Sequence, residues 1–199
     1  MKFLPTLIAA LVLVTASEVS AHRYSSPHYT APGLSNATVL IVRHAEDADS
    51  GPGLSPAGEV RARAYAHYFR PFRFGEEVLR IDTLIAAADS RASDRSRLTL
   101  EPLSRVSGMP VQQPIGDRHV GALVRWLEQG APNRTILIAW HHGELPKLIA
   151  ELGADPTMVL GRHRWPSDEY SWVVVLRFDR NGIVTTQSSH LVREPTPLH

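Results

Sequence analysis

Thr38–Val42 is an unbroken apolar or β-branched run that leads straight into Arg43 and His44. A strand apolar on both faces belongs inside a sheet covered on both sides, which steers the chain towards an α/β architecture with parallel strands. Open α/β sheets bind ligands just outside the carboxyl ends of their strands. A guanidinium and an imidazole delivered to that edge are placed to meet a substrate, and the planar guanidinium fork matches phosphate oxygens.

The rest of the chain keeps strand-like and helix-like segments in alternation. Ser55 as a cap, Pro56 in the first turn and Glu59 near the reciprocal capping position predict a helix through Tyr68. Residues 82–87 predict a second strand, followed by an arginine-studded segment that turns helical over Asp94–Leu103. Val111–Gln113 reads as a short strand. Apolar residues at Val120, Leu123, Val124 and Leu127 predict a helix within Asp117–Gln129, stopped by Gly130 and Pro132. Arg134–Trp140 predicts a fourth strand and Leu145–Leu152 a helix. Tyr170–Phe178 and Ile183–Val192 form a closing pair around Asn181 and Gly182. This order predicts an α/β fold, a three-layer α/β/α sandwich with a mostly parallel sheet and an antiparallel edge strand.

A length of 199 residues supports one full hydrophobic core. The formal net charge of +1 gives no global pull towards nucleic acid or anionic membranes, so any phosphate affinity must be local. Of the 21 basic residues only Lys2 and Lys147 are lysine. The absence of cysteine excludes disulfides, a thiolate nucleophile and Cys-ligated zinc. Met1–Ala21 reads as a secretory signal, with Lys2 in its basic region, Phe3–Val14 as its apolar stretch and small residues at Val19–Ala21. The expected organisation is a signal peptide over 1–21, a flexible Ser/Pro/Tyr/His-rich lead-in over 22–35 and one domain over 36–199. An exported protein, periplasmic or secreted, with no stable membrane insertion after cleavage, is the corresponding expectation.

Three segments that follow strands carry the candidate chemistry: Arg43 with His44, the stretch Ser90–Arg97, and His141, His142, Gly143 and Glu144. All three are expected at one sheet edge. A neutral imidazole can attack phosphorus while arginines hold the non-bridging oxygens and a second histidine completes the cradle. Zinc bound by His44, His141, His142 and Glu144 is an alternative, but this spacing lacks the helical repeat that aims two ligands at one ion.

Together, Val42 to Glu46, Gly53 to Gly58, Arg95 to Thr99 and Ala139 to Gly143 resemble the histidine phosphatase superfamily, also called phosphoglycerate mutase-like. The resemblance runs from about Thr38 to Asp179, with the motifs in the family's order. It implies His44 as a transiently phosphorylated nucleophile, Arg43 and Arg95 as phosphate clamps, and His141 as the second pocket histidine. His142 is added as a substrate-binding residue. Neither a metal nor a cofactor is implied. Ala45 replaces the family's usual glycine, and Leu98 precedes Thr99 where glutamine is common. Arg91, Arg95 and Arg97 share one segment, and Arg95 is preferred because it puts Thr99 in register. For the acid that protonates the leaving group, Glu144, Asp117 and Glu46 all stay open, with Glu144 favoured for lying three residues past His141. The short segment from Thr99 to Asp117 implies an open pocket, admitting a phosphorylated small molecule or a phosphorylated protein side chain. The expectation is an exported phosphatase acting on phosphomonoesters or phosphoramidates. A catalytically weak phosphate-binding domain of the same fold is the alternative.

Overall fold

A computed structural model describes residues 31–195 and Leu198. The signal peptide and most of the lead-in lie outside the described residues. The elements are β1 (Thr38–Arg43), α1 (Pro56–Tyr68), β2 (Phe72–Phe74), β3 (Glu77–Leu79), β4 (Thr83–Ala86), α2 (Arg95–Ser107) and β5 (Val111–Gln112). They continue with α3 (Val120–Glu128), β6 (Thr135–Trp140), α4 (Leu145–Glu151), α5 (Pro156–Leu160), β7 (Trp172–Arg177) and β8 (His190–Arg193).

Six strands form one sheet in the order β5-β4-β6-β1-β7-β8, while β2 and β3 make a separate hairpin. The first four strands of that order run parallel, and β7 closes the far side antiparallel to both β1 and β8. All six residues of β1 are buried, as a strand at the centre of a two-faced sheet requires. Alternate side chains feed two cores. Val39, Ile41, Ile136 and Ile138 pack with Leu123 and Leu127 of α3 and with Leu148 of α4. Leu40, Val42, Leu137 and Ala139 pack with Tyr65 of α1 and with Leu100 and Leu103 of α2. Helices therefore cover both faces, and the three-layer sandwich is the observed architecture.

Local sequence explains most element ends. The Ser55 hydroxyl accepts a hydrogen bond from Gly58 N at 3.1 Å and caps α1, with Pro56 in the first turn. Glu59 does not reciprocate; it pairs with Arg63 one turn on, at 3.5 Å. A Cβ on Gly58 would lie 2.4 Å from the Glu46 carbonyl oxygen, so only glycine lets α1 approach the segment after β1 this closely. The helix from Arg95 runs past the predicted end at Leu103 to Ser107, and Gly108 closes it in the left-handed conformation at φ 76°.

Three expectations need correction. The lead-in is not flexible to its end: residues 32–34 form a 3₁₀ turn, and Ala31 and Leu34 are buried in the core of the α3–α4 face. Apolar burial of these two side chains draws the end of a polar segment onto the domain. The closing pair is not continuous either. After the Phe178–Val184 bridge, a 3₁₀ turn at Thr186–Ser188 interrupts the chain before β8. The third concerns omissions, because the β2–β3 hairpin and α5 are too short to show a hydrophobic period. Among the described residues no helix is long and apolar enough to cross a membrane.

Candidate active site

The parallel register sets Arg43 of β1 opposite Trp140 of β6, and the next residue of each strand is a histidine. His44 N donates to the Trp140 carbonyl at 2.9 Å, extending the ladder by one bond. The two imidazoles thus meet edge to face, with centroids 4.9 Å apart and planes at 65°. The adjacent parallel strand β4 ends at Ala86, paired with Ala139, and its continuation brings in α2 with Arg95 at its start.

His44 is 2 % exposed. Its Nδ1 donates to the Ala45 carbonyl at 2.8 Å, which leaves Nε2 with a free lone pair. Burial pushes its pKa down to about 4; the neighbouring His141 and Arg43 push the same way, while the Ala45 carbonyl and Asp47 oppose. The ring is therefore neutral at pH 7, the form a nucleophile needs. Burial also lowers the pKa of His141, with Arg95 and His142 acting in the same sense and Asp117 and Asp47 opposing. His142 is lowered by burial and then by Arg43.

Arg43 is a buried cation held from several sides. Its guanidinium carbon lies 3.7 Å from the Tyr170 ring centroid, and Nη1 donates to the Ser167 carbonyl. Nη2 is 3.8 Å from Asp47 Oδ1. Burial lowers its pKa, while Tyr170 and Asp47 oppose that shift. The Nε atoms of Arg43 and Arg95 are both buried and make no hydrogen bond among the described residues. Buried donors without a hydrogen bond are costly, and a single carboxylate among the described residues, Asp47, stands 3.5 Å from Arg95 Nε and 3.8 Å from Arg43 Nη2, which leaves both cations with donor capacity for a further anion.

Of the three arginines of one segment, Arg95 is the one that neighbours the histidines, through Asp47 at 3.5 Å and electrostatically at His141. Arg97 is occupied by Asp89 at 2.7 Å, Glu101 at 3.5 Å and Asp94 at 3.6 Å, and Arg91 is exposed. Thr99 fixes the register: its hydroxyl accepts from Ala45 N at 2.8 Å and donates to the Arg95 carbonyl at 2.8 Å, tying β1's exit to the first turn of α2.

The carboxylate at the centre is Asp47, which sequence reasoning passed over. Its Oδ1 lies 3.3 Å from His44 Nδ1, 3.5 Å from Arg95 Nε and 3.8 Å from Arg43 Nη2. Its place three residues past His44, before the exposed residues 50–52, was the available signal. Of the expected acids, Glu46 is committed to Arg61, with contacts of 2.8 to 3.1 Å to Nη2 and Nε. The Glu144 side chain makes no hydrogen bond or ion pair to the two histidines or to Arg43 and Arg95 among the described residues. The turn from His141, closed by Glu144 N to the His141 carbonyl at 2.9 Å, makes it the N-terminal flank of α4. Asp117 stays within electrostatic reach of His141, and its carbonyl accepts from Trp140 Nε1 at 2.9 Å. Among the described residues no three His, Cys, Asp or Glu side chains gather as a metal-binding group.

Neither a protein-family model nor a curated protein sequence matches this chain. Among solved structures it is similar to phosphoserine phosphatase from Entamoeba histolytica in complex with 3-phosphoglyceric acid. Identity is 14%, the TM-score is 0.52, and the alignment covers 77% of this chain and 96% of that one. The chain has the histidine phosphatase fold. It is also similar to the protein histidine phosphatase SixA complexed with tungstate, at 23% identity, with 74% of this chain and 92% of that one covered and a TM-score of 0.47. A mycobacterial glucosyl-3-phosphoglycerate phosphatase with inorganic phosphate aligns at 15% identity, covering 79% and 95%, with a TM-score of 0.43. Within this fold, the ends of β1 and β6 carry His44 and His141, and the start of α2 carries Arg95.

Proposed function

We propose that this protein is a phosphatase that hydrolyses phosphomonoesters or phosphoramidates through a phosphohistidine on His44. The supporting observation is the convergence of a neutral, tautomer-fixed imidazole, a second imidazole and two guanidiniums whose buried Nε donors make no hydrogen bond among the described residues. In the first step the Nε2 lone pair of His44 forms an N–P bond as the bond from phosphorus to the leaving group breaks. The leaving group departs with that electron pair and takes up a proton. In the second step water attacks phosphorus, gives up a proton to solvent, and the N–P bond breaks to release phosphate and restore neutral His44.

Arg43, Arg95 and His141 stabilise the charge that grows on the phosphoryl oxygens, and each such donor contributes roughly 10²–10³-fold to rate. Arg43 needs no reorganisation for this, because Tyr170 and the Ser167 carbonyl already fix its plane. Glu46 is locked to Arg61, Asp117 Oδ1 accepts from Arg118 N at 2.9 Å, and the Glu144 side chain makes no hydrogen bond or ion pair, so none of the three expected carboxylates is hydrogen-bonded to His44 or His141 among the described residues. Substrates with readily departing groups, aryl phosphates and phosphoramidates, are therefore favoured. The charge-stabilising groups are the chain's own cations, so the proposed route uses no metal. Export remains part of the proposal, on the strength of the Met1–Ala21 pattern.

The test is a denaturing quench during turnover of an activated aryl phosphate, followed by mapping of acid-labile phosphate. Label on His44, lost with activity in His44→Ala, is the expected result. Turnover without label, or equal rates in both proteins, overturns the proposal; phosphate binding without turnover would identify a binding domain instead.

A further inference from the structure

A cavity of about 620 Å³ opens beside the candidate phosphate site and has no role in the steps above. Its walls include His142, Lys147, His163, Arg164, Trp165 and Ser167, and no aspartate or glutamate lines it. Two observations join it to the reacting centre. The carbonyl of Ser167, a wall residue, accepts from Arg43 Nη1, and His142, another wall residue, sits within electrostatic reach of Arg43 and Asp47.

The two permanent cations lining the cavity have no carboxylate partner among the described residues. Arg61, Arg97, Arg105 and Arg177 all pair with carboxylates, whereas neither Lys147 nor Arg164 has an ion pair among the described residues. Lys147 is the single lysine among the described residues, carried on α4 with Leu145, Leu148 and Ile149 fixed in the core. Arg164 precedes Trp165, which is 3 % exposed, packs against Trp172 with centroids 5.4 Å apart and planes tilted at 58°, and donates its Nε1 to the Glu169 carbonyl at 2.9 Å. His163 is held by Thr157 at 3.0 Å. The walls are therefore anchored, and a volume within the range of roughly 300–1,000 Å³ suits a small molecule.

We propose that this cavity is a second anion subsite, which receives a carboxylate or further phosphate carried by the substrate beyond the phosphoryl group that His44 attacks. The proposal rests on the phosphatase reading of the neighbouring site. Lys147 supplies a point charge, and Arg164 a fork that matches either oxyanion. Selectivity for doubly anionic small phosphates follows, because a neutral leaving group gains nothing from these two cations.

The test compares three ligands of one chain length: propyl phosphate, 3-phosphonooxypropanoate and propane-1,3-diyl bisphosphate. Each is measured by calorimetric binding to the full chain and as a competitive inhibitor of aryl phosphate hydrolysis. Both anion-tailed ligands are expected to bind at least ~10-fold tighter than propyl phosphate. Lys147→Ala/Arg164→Ala should bring all three within about twofold of one another, while propyl phosphate affinity and aryl phosphate kcat/KM stay unchanged. Preference for only one tail assigns the oxyanion. Equal binding of the three ligands to the unmodified protein overturns the subsite, as does a preference that survives the double substitution. Calorimetry reads the cavity whether or not the protein turns over, so failure of the subsite and failure of the phosphatase reading give different results.

Discussion

The rings of His44 and His141 stand 4.9 Å apart at 65°, held there by consecutive ladder positions of two parallel strands. In the proposed mechanism one imidazole attacks and the other stabilises the charge that results. His141→Ala is expected to lower kcat for an aryl phosphate by roughly 10²–10³-fold, the usual cost of one preorganised donor. Single-turnover measurement should show slower formation of the phosphohistidine. An unchanged phosphorylation rate would remove His141 from the chemistry.

The His44 ring should titrate near pH 4 in the folded protein, against an ordinary value of 6.5, when followed by NMR. The unfolded chain binds the proton at the higher pH, so between 6.5 and 4 the unfolded state holds more protons. Stability from this group is thus complete above 6.5 and falls as pH drops towards 4. Denaturant titrations of the native protein and His44→Gln across this window should diverge in that sense.

Arg95, Arg91 and Arg97 are separable by kinetics. Arg95→Ala should reduce kcat/KM for an aryl phosphate by about 10²-fold or more. Arg91→Ala should leave it within about twofold, since a surface substitution away from the site changes little. Arg97→Ala should act on thermal stability through its lost carboxylate contacts rather than on catalysis.

Asp47 holds one oxygen among three groups that the phosphoryl group also needs. Asp47→Asn removes that competing charge, and inorganic phosphate should then inhibit several-fold more tightly, by an order of ~1 kcal/mol for one like-charge contact at a half-exposed site. Product-inhibition constants measure this directly. Weaker inhibition in the variant would instead mark Asp47 as a group that helps to hold phosphate.

Chelation offers a further check on the proposed route. Prolonged treatment with a strong chelator should leave kcat/KM unchanged. Loss of activity that is restored by added metal would replace the His44 route with a metal-assisted one.

Much of this molecule follows from local pattern. The uniform burial of β1 and the capping of α1 by Ser55 required only short-range periodicity and cap chemistry. Val120, Leu123, Val124 and Leu127 form the buried stripe of α3 for the same reason. The convergence of Arg43, His44 and His141 was legible because a strand that ends in polar groups must deliver them to the sheet edge. For Glu144 nearness in sequence says less, because the turn closed by Glu144 N on the His141 carbonyl makes it the flank of α4 rather than part of β6.

By itself the sequence determined the layered α/β framework and the strand ends from which the imidazoles emerge, since side-chain periodicity encodes burial directly. Only the tertiary structure set Arg95 beside Asp47 while Arg97 pairs with Asp89, set Asp47 against three partners, and brought Ser167 and Tyr170 across the chain to clamp Arg43. Which charged group faces another depends on distances between segments remote in sequence, and no local pattern carries that information.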